Sequence, residues 1–255
     1  MRTLAHSVIR SMIPRSWLPS ARVLQLIQSE AQGKVMTGPF AGMRYVEASV
    51  WSMHLPKLLG VYEAELQGVI AEICQEQFER IVDIGAAEGY YAIGLAWRMP
   101  HCHVIAFEME PEGRELLREL ATLNGVQKRV QIEGLCDAPS LARSVNGGKN
   151  TLVVMDVEGA ETVLLDPFVA PGLRQACILV ELHDFVYREV GELITRRFEP
   201  THTIVEILQR ERTINDFPVS IPQKASKRLR RTILAAMAEG RPESMRWFYL
   251  KPRTK

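Results

Sequence analysis

Asp83, Glu88, Glu108, Asp137, Asp156, Glu181 and His183 are the side chains whose types and spacing could do chemistry. Asp83 and Glu88 frame the run Asp83-Ile84-Gly85-Ala86-Ala87-Glu88-Gly89. This turn follows the apolar run Arg80-Ile81-Val82, of strand type, and precedes Tyr90-Tyr91-Ala92-Ile93-Gly94-Leu95-Ala96, which continues as a helix. A strand, a glycine-rich turn and a helix make a nucleotide-type pocket. The acids then narrow the ligand. A pyrophosphate wants backbone N–H groups and no carboxylate nearby. A ligand carrying an ammonium and a sulfonium wants the opposite.

Further acids close later strands. Glu108 ends the second strand, where a carboxylate accepts both ribose hydroxyl hydrogens. Asp137, or the backbone near Cys136, follows the third, where an adenine amino group could be read. Gly85 and Gly89 let backbone approach a ligand closely. The expected cofactor is S-adenosylmethionine (SAM), held by Asp83, Gly85, Ala87, Glu88, Gly89, Glu108 and Asp137. A nicotinamide dinucleotide is the competing ligand. The missing G-x-G-x-x-G and the presence of Glu88 count against it.

Methyl transfer is an in-line displacement at an already activated carbon, so alignment in a dry pocket is the main task. A hydroxyl acceptor also needs its proton removed or its oxygen polarised. Asp156, Glu158, Glu181 and His183 leave the fourth and fifth strands beside the expected methyl position. His183 is the expected general base; its alternative role is to order the loop with Asp184. Asp156 is expected to hold the acceptor or the cofactor. Asp156, Glu181 and His183 could also ligate a divalent cation, although no tight ligand motif supports one. Glu158 and Glu161 near the next helix start are expected to offset its dipole. His54, Trp51 and Tyr62 could form a lid or acceptor wall, or simply pack; Phe185, Tyr187 and Trp247 read as core.

The elements that must position these groups alternate. Strands are expected at 81–84, 103–108, 130–135, 151–156, 176–182, 203–208 and 246–251. Helices are expected at 90–98, 111–123, 160–165, 187–198 and 226–238, with a short one after Asp137. That is an α/β, doubly wound, Rossmann-like seven-stranded sheet. Before it come a broken helical stretch to residue 32, a glycine–proline hairpin around Thr37 to Met43, and a helical face from Leu55 to Phe78. The expected division is an N-terminal extension over 1–54 and a catalytic domain over 55–255. Residues 209–222 read as loop by default.

Composition excludes several classes. The chain has 255 residues, 47% hydrophobic and 24% charged, with a net charge of +1, so nothing draws it globally to nucleic acid or anionic membrane. Nor is there a long basic–aromatic stripe for nucleic acid. Cys74, Cys102, Cys136 and Cys177 form no C-x-x-C pair and suit a reducing, cytoplasmic setting. The N-terminal segment is rich in arginine and serine, but Pro14 and Pro19 interrupt any targeting or membrane-surface helix. It reads rather as a helix that packs on the domain or serves a homodimer. From Lys224 to Lys255 ten bases face only Glu239 and Glu243, which reads as a solvated face or a docking surface for an acidic partner.

The run Met155-Asp156-Val157-Glu158-Gly159-Ala160-Glu161-Thr162-Val163-Leu164-Leu165, taken with Asp83 to Gly89 and Ala106-Phe107-Glu108, resembles the FkbM-like branch of class I SAM-dependent methyltransferases. Val180-Glu181-Leu182-His183 is similar to the family's next strand, and the resemblance spans roughly residues 35–251. Family members often carry Glu-Pro directly after the aromatic of the second strand. Here the run is Glu108-Met109-Glu110-Pro111, so Glu110 competes with Glu108 for the ribose. The resemblance implies a methyltransferase acting on hydroxyl oxygens of small molecules or glycans, without naming the acceptor. The two competing readings are a nicotinamide-dependent oxidoreductase and a non-catalytic binding protein of the same fold.

Overall fold

The computed structural model describes residues 21–49, 53–147, 150–220, 225–241 and 243–253. Seven strands form one sheet: β1 (Arg80–Ile84), β2 (His103–Phe107), β3 (Val130–Glu133), β4 (Thr151–Met155), β5 (Cys177–Leu182), β6 (His202–Leu208) and β7 (Arg246–Pro252). Their order is β3-β2-β1-β4-β5-β7-β6. β1 to β5 run parallel, and β7 inserts antiparallel between β5 and β6. The order reverses between β1 and β4, which places the ligand crevice at their carboxyl ends.

The central strands β1, β4 and β5 read as apolar runs because both their faces are covered. Ile81, Leu152, Val154, Leu179, Trp247 and Tyr249 point into one core, and Val82, Ile84, Val153, Met155, Ile178 and Phe248 into the other. Helices α1 (Ala21–Ala31), α2 (His54–Leu59), α3 (Gln67–Ile73), α4 (Tyr90–Arg98), α5 (Pro111–Leu123), α6 (Ala138–Val145), α7 (Glu161–Leu164), α8 (Val190–Phe198) and α9 (Lys227–Met237) complete the described helices. Leu141 of α6 and Ile194 and Phe198 of α8 cover the second face. Ile93 of α4, Leu117 of α5 and Ile233 of α9 cover the first.

The residues before the sheet share that first core. Val23, Ile27, Val35, Phe40 and Met43 pack in one cluster with Leu59 and Ile93. The expected hairpin is present as a single antiparallel bridge, Lys34 with Arg44. The expected helical face from Leu55 is broken into α2, a 3-10 turn over Ala64–Leu66, and α3. Gly60 makes the break. Its φ is +76°, and a Cβ there would lie 2.0 Å from the Thr37 carbonyl oxygen, so the hairpin seats directly on it. The segment read as loop after residue 209 contains a 3-10 turn, Ile214–Asp216, closed by a Thr213–Asp216 capping box. The four cysteines are free thiols. No helix among the described residues is long and apolar enough to cross a membrane.

The basic C-terminal region is not one solvated face. Arg241 is part-buried against Glu63, Glu181 and Glu239, Arg246 pairs with Asp184 and Glu206, and Lys251 pairs with Glu72. Lys227, Arg228, Arg230 and Arg231 on α9 remain exposed. The sequence count missed acids that lie far away in the chain.

Candidate active site

β1 and β4 end side by side, Ile84 opposite Met155. Gly85 and Gly89 follow with φ of +83° and +97°, in the left-handed region that favours glycine. Between them Ala87 also has a positive φ of +49°. Asp83 lies in β1, two residues before Gly85. It is buried, and its Oδ2 has no hydrogen-bond partner. Burial, then the charge of Asp156, pushes its carboxyl up to about 7. The Ala92 backbone also hydrogen-bonds this carboxyl, so one oxygen, Oδ2, is left for a cationic ligand beside the glycine turn.

Glu108 follows β2 and folds back onto the turn. Its Oε2 accepts from the Ala87 N–H at 2.8 Å and its Oε1 from the Glu110 N–H at 2.7 Å. A carboxylate has about four acceptor sites, so two remain for ribose hydroxyls. Glu110 meets Glu108 through its backbone N–H and stands as the residue before α5. The geometry therefore brings Glu108, rather than Glu110, to the turn. Asp137 is exposed and caps α6, accepting from the Ser140 N–H at 2.8 Å. The Ser140 hydroxyl, and then this backbone bond, hold its carboxyl below the ordinary value. Met109 and Leu135, 59% and 72% exposed, leave the adjacent ends of β2 and β3. Sequence reading passed over both; large apolar residues just past strand ends were the available signal.

Glu88 does not face the crevice with a free charge. It is fully buried, accepting from Tyr45 Oη at 2.6 Å and Lys57 Nζ at 2.5 Å. Burial raises its pKa, but Lys57 and Tyr45 outweigh that and leave the carboxyl below its ordinary value. Its charge is thus met inside the protein, and it ties the glycine turn to α2 and the hairpin. A lone lysine beside Leu58 and Leu59 was the clue to this pair in the sequence.

On the other side of the crevice, Asp156, Glu158, Glu161, Glu181 and His183 come together. His183 is buried, with Nδ1 2.5 Å from Glu161 Oε1. Its Nε2 lies 3.4 Å from Asp156 Oδ1, 3.4 Å from Glu158 Oε2 and 3.7 Å from Glu181 Oε2. Burial works against a charged ring, but Asp156 and Glu161 outweigh it and raise the pKa to about 10. A ring that already holds its proton cannot accept another at neutral pH. The expectation of His183 as general base gives way to an imidazolium, or a ligand, between carboxylates. Burial pushes Asp156 upward, yet His183 holds it below the ordinary range, so Asp156 stays ionised. Glu181, pushed well above its ordinary value by burial and then by Asp156, carries the proton of that pair. Glu181 is pinned by Arg241, which also holds Glu63. Glu161 is not a surface charge for a helix dipole. It is fully buried and orients His183.

Of the remaining expected wall residues, His54 bonds the Val46 carbonyl at 2.7 Å. Tyr62 lies under the Lys57 ammonium, 4.9 Å from ring centroid, and near Arg241. Trp51 lies outside the described residues. Trp247 is core, as expected, but Phe185 and Tyr187 are each 44% exposed, with Phe185 edge-on to His183.

No protein-family model and no curated protein matches the chain. Solved structures do. An O-methyltransferase from Bacillus cereus in complex with SAH aligns over 98% of this chain and 97% of its own, with TM-score 0.50 and 13% identity. The O-methyltransferase TomG from Streptomyces achromogenes, involved in tomaymycin synthesis and in complex with SAM, aligns over 76% of this chain and 81% of its own, with TM-score 0.46 and 15% identity. At such identity the Bacillus cereus likeness speaks to the fold: a seven-stranded, Rossmann-like sheet of the methyltransferase type.

Proposed function

We propose that this chain is a SAM-dependent methyltransferase acting on a hydroxyl oxygen of a small molecule or glycan. One observation carries the reading: the buried Asp83 carboxyl, with its Oδ2 unpartnered, stands beside the glycine turn at the switch point of the sheet. A pyrophosphate would gain nothing from an acid there and would hold it protonated, which weighs against a nicotinamide cofactor. SAM, when bound, supplies a methyl carbon already activated by its sulfonium.

The chain's own residues divide the work. Asp83 faces the cationic part of the donor, Glu108 takes the ribose hydroxyls, and Met109 and Leu135 flank the adenine. Asp137, spent in part as a helix cap, offers its second oxygen at the adenine edge. Asp156 remains an anion beside the acceptor and polarises its hydroxyl. His183 beside Asp156, and Arg241 beside Glu63 and Glu239, offset the crowded acids. The narrower placement in the FkbM-like branch rests on the Asp156 to Leu165 run and Val180 to His183.

Transfer of labelled methyl from SAM to a panel of hydroxylated acceptors tests this. Transfer that falls at least 100-fold in Asp156→Asn is the expected outcome. SAM binding without transfer to any acceptor would favour a non-catalytic binding protein.

A further inference from the structure

His183 is placed as a ligand is placed. Its ring is 1% exposed, and Glu161, itself fully buried, grips Nδ1 and also accepts from the Gly159 N–H at 3.2 Å. That grip turns Nε2 toward Asp156 and Glu158. There it makes no good hydrogen bond: both oxygens are 3.4 Å away, beyond the roughly 3.2 Å limit for N–H···O. Bonds of about 2.0–2.2 Å to a shared ion would set its ligand atoms roughly 3.0–3.6 Å apart. One ligand atom each from Asp156, Glu158 and His183 already lie within 4.8 Å of one another. A histidine whose second nitrogen is locked by a buried carboxylate is the usual support for a metal ligand.

Glu158 has no structural task that would explain it. Its side chain is 70% exposed. Its backbone is held at φ +51°, a left-handed conformation that costs a non-glycine residue about 1–3 kcal/mol. The turn with Gly159 after it brings the exposed carboxylate to 3.4 Å from His183 Nε2.

We propose that Asp156, Glu158 and His183 bind one divalent cation of the manganese-to-zinc class, which holds the acceptor hydroxyl for methyl transfer. Imidazole with two carboxylates suits such ions better than calcium or magnesium. Three protein ligands leave open positions for an acceptor oxygen. Bound there, the hydroxyl loses its proton to solvent more easily. Its oxygen bonds the methyl carbon, and the carbon–sulfur electron pair stays on sulfur. Glu181, expected from sequence as a ligand, is 3.7 Å from Nε2 and engaged by Arg241, so Glu158 replaces it in the set. Cation binding stands by itself; its role in transfer rests on the methyltransferase reading.

The test is titration of chelator-stripped full-length protein with Mn²⁺, followed by calorimetry and by the electron-spin signal of free Mn²⁺, without methyl donor. One ion per chain is expected, bound at least tenfold more weakly in Asp156→Asn and in Glu158→Gln, and unchanged in Glu112→Gln on the exposed face of α5. Because Glu158 is exposed, its variant keeps the fold, so the outcome is readable even if the Asp156 variant does not. No Mn²⁺ binding at millimolar concentration, or equal binding by wild type and Glu158→Gln, overturns the site. SAM is titrated separately. SAM binding without Mn²⁺ binding removes the cation site alone; Mn²⁺ binding without SAM binding removes the donor reading alone.

Discussion

Gly85 stands so close to Asp156 that a Cβ on it would lie 1.7 Å from the Asp156 carbonyl oxygen. The Asp156 N–H in turn donates to the Ile84 carbonyl at 2.9 Å. The glycine turn after β1 and the acid after β4 are therefore one piece. Whatever lies on the turn is positioned relative to whatever Asp156 holds.

Gly85→Ala meets both that clash and an unfavourable φ of +83°. The expected cost is about 2–5 kcal/mol, with loss of SAM binding. Thermal melting and calorimetry check it. A variant as stable as wild type that binds SAM normally would show that the turn does not need this contact.

Lys57→Met leaves Glu88 buried without its cation, at an expected cost of about 3–5 kcal/mol. Adding Glu88→Gln should recover much of it. The pair also has a pH signature. The folded-state pKa of Glu88 is lowered, so its stabilisation is complete above the unfolded value of about 4.3 and is lost as pH falls below that toward the folded value. Urea melts of wild type and Lys57→Met from neutral to acidic pH should converge on the acid side.

Asp83, raised to about 7, keeps a proton in the ligand-free protein that an unfolded aspartate would have released. Its contribution to stability therefore falls as pH rises from about 4 to about 7. A cationic ligand favours the ionised form, so binding should release a proton and tighten with pH by up to about tenfold per unit below 7. Calorimetry in buffers of different ionisation enthalpy measures the proton. Asp83→Asn should bind weakly and without that pH dependence.

Glu161 and Glu158 touch the same ring and should behave oppositely. Glu161→Gln weakens a buried, charge-assisted bond and is expected to cost about 1.5–3 kcal/mol. Glu158→Gln, at an exposed site, should stay within about 0.5 kcal/mol of wild type yet lose at least tenfold in methyl transfer. Stability loss in Glu158→Gln with normal turnover would reverse these roles.

The sheet was legible because its central strands β1, β4 and β5 are buried apolar runs and its edge strands β3 and β6 still keep β-branched residues between turn signals. The places of Asp83, Gly85, Gly89 and Glu108 at or just past strand ends were legible too, since they sit within local patterns. What escaped depends on distant partners. Glu88 reads as a crevice charge until Lys57 and Tyr45 arrive from the hairpin and α2. Arg241 reads as part of a basic tail until the fold brings it to Glu63 and Glu181. His183 reads as a base until Asp156 and Glu161 close around it and hold its proton. Residue type names candidates; protonation state is set by neighbours that only the fold assembles.

SAM titrated into purified protein by calorimetry is the most direct measurement. One saturable site per chain is expected, weakened at least tenfold in Glu108→Ala and little changed in Glu110→Ala. No heat of binding at millimolar SAM, or equal losses in the two variants, would contradict a methyl donor seated between the β1 turn and Glu108.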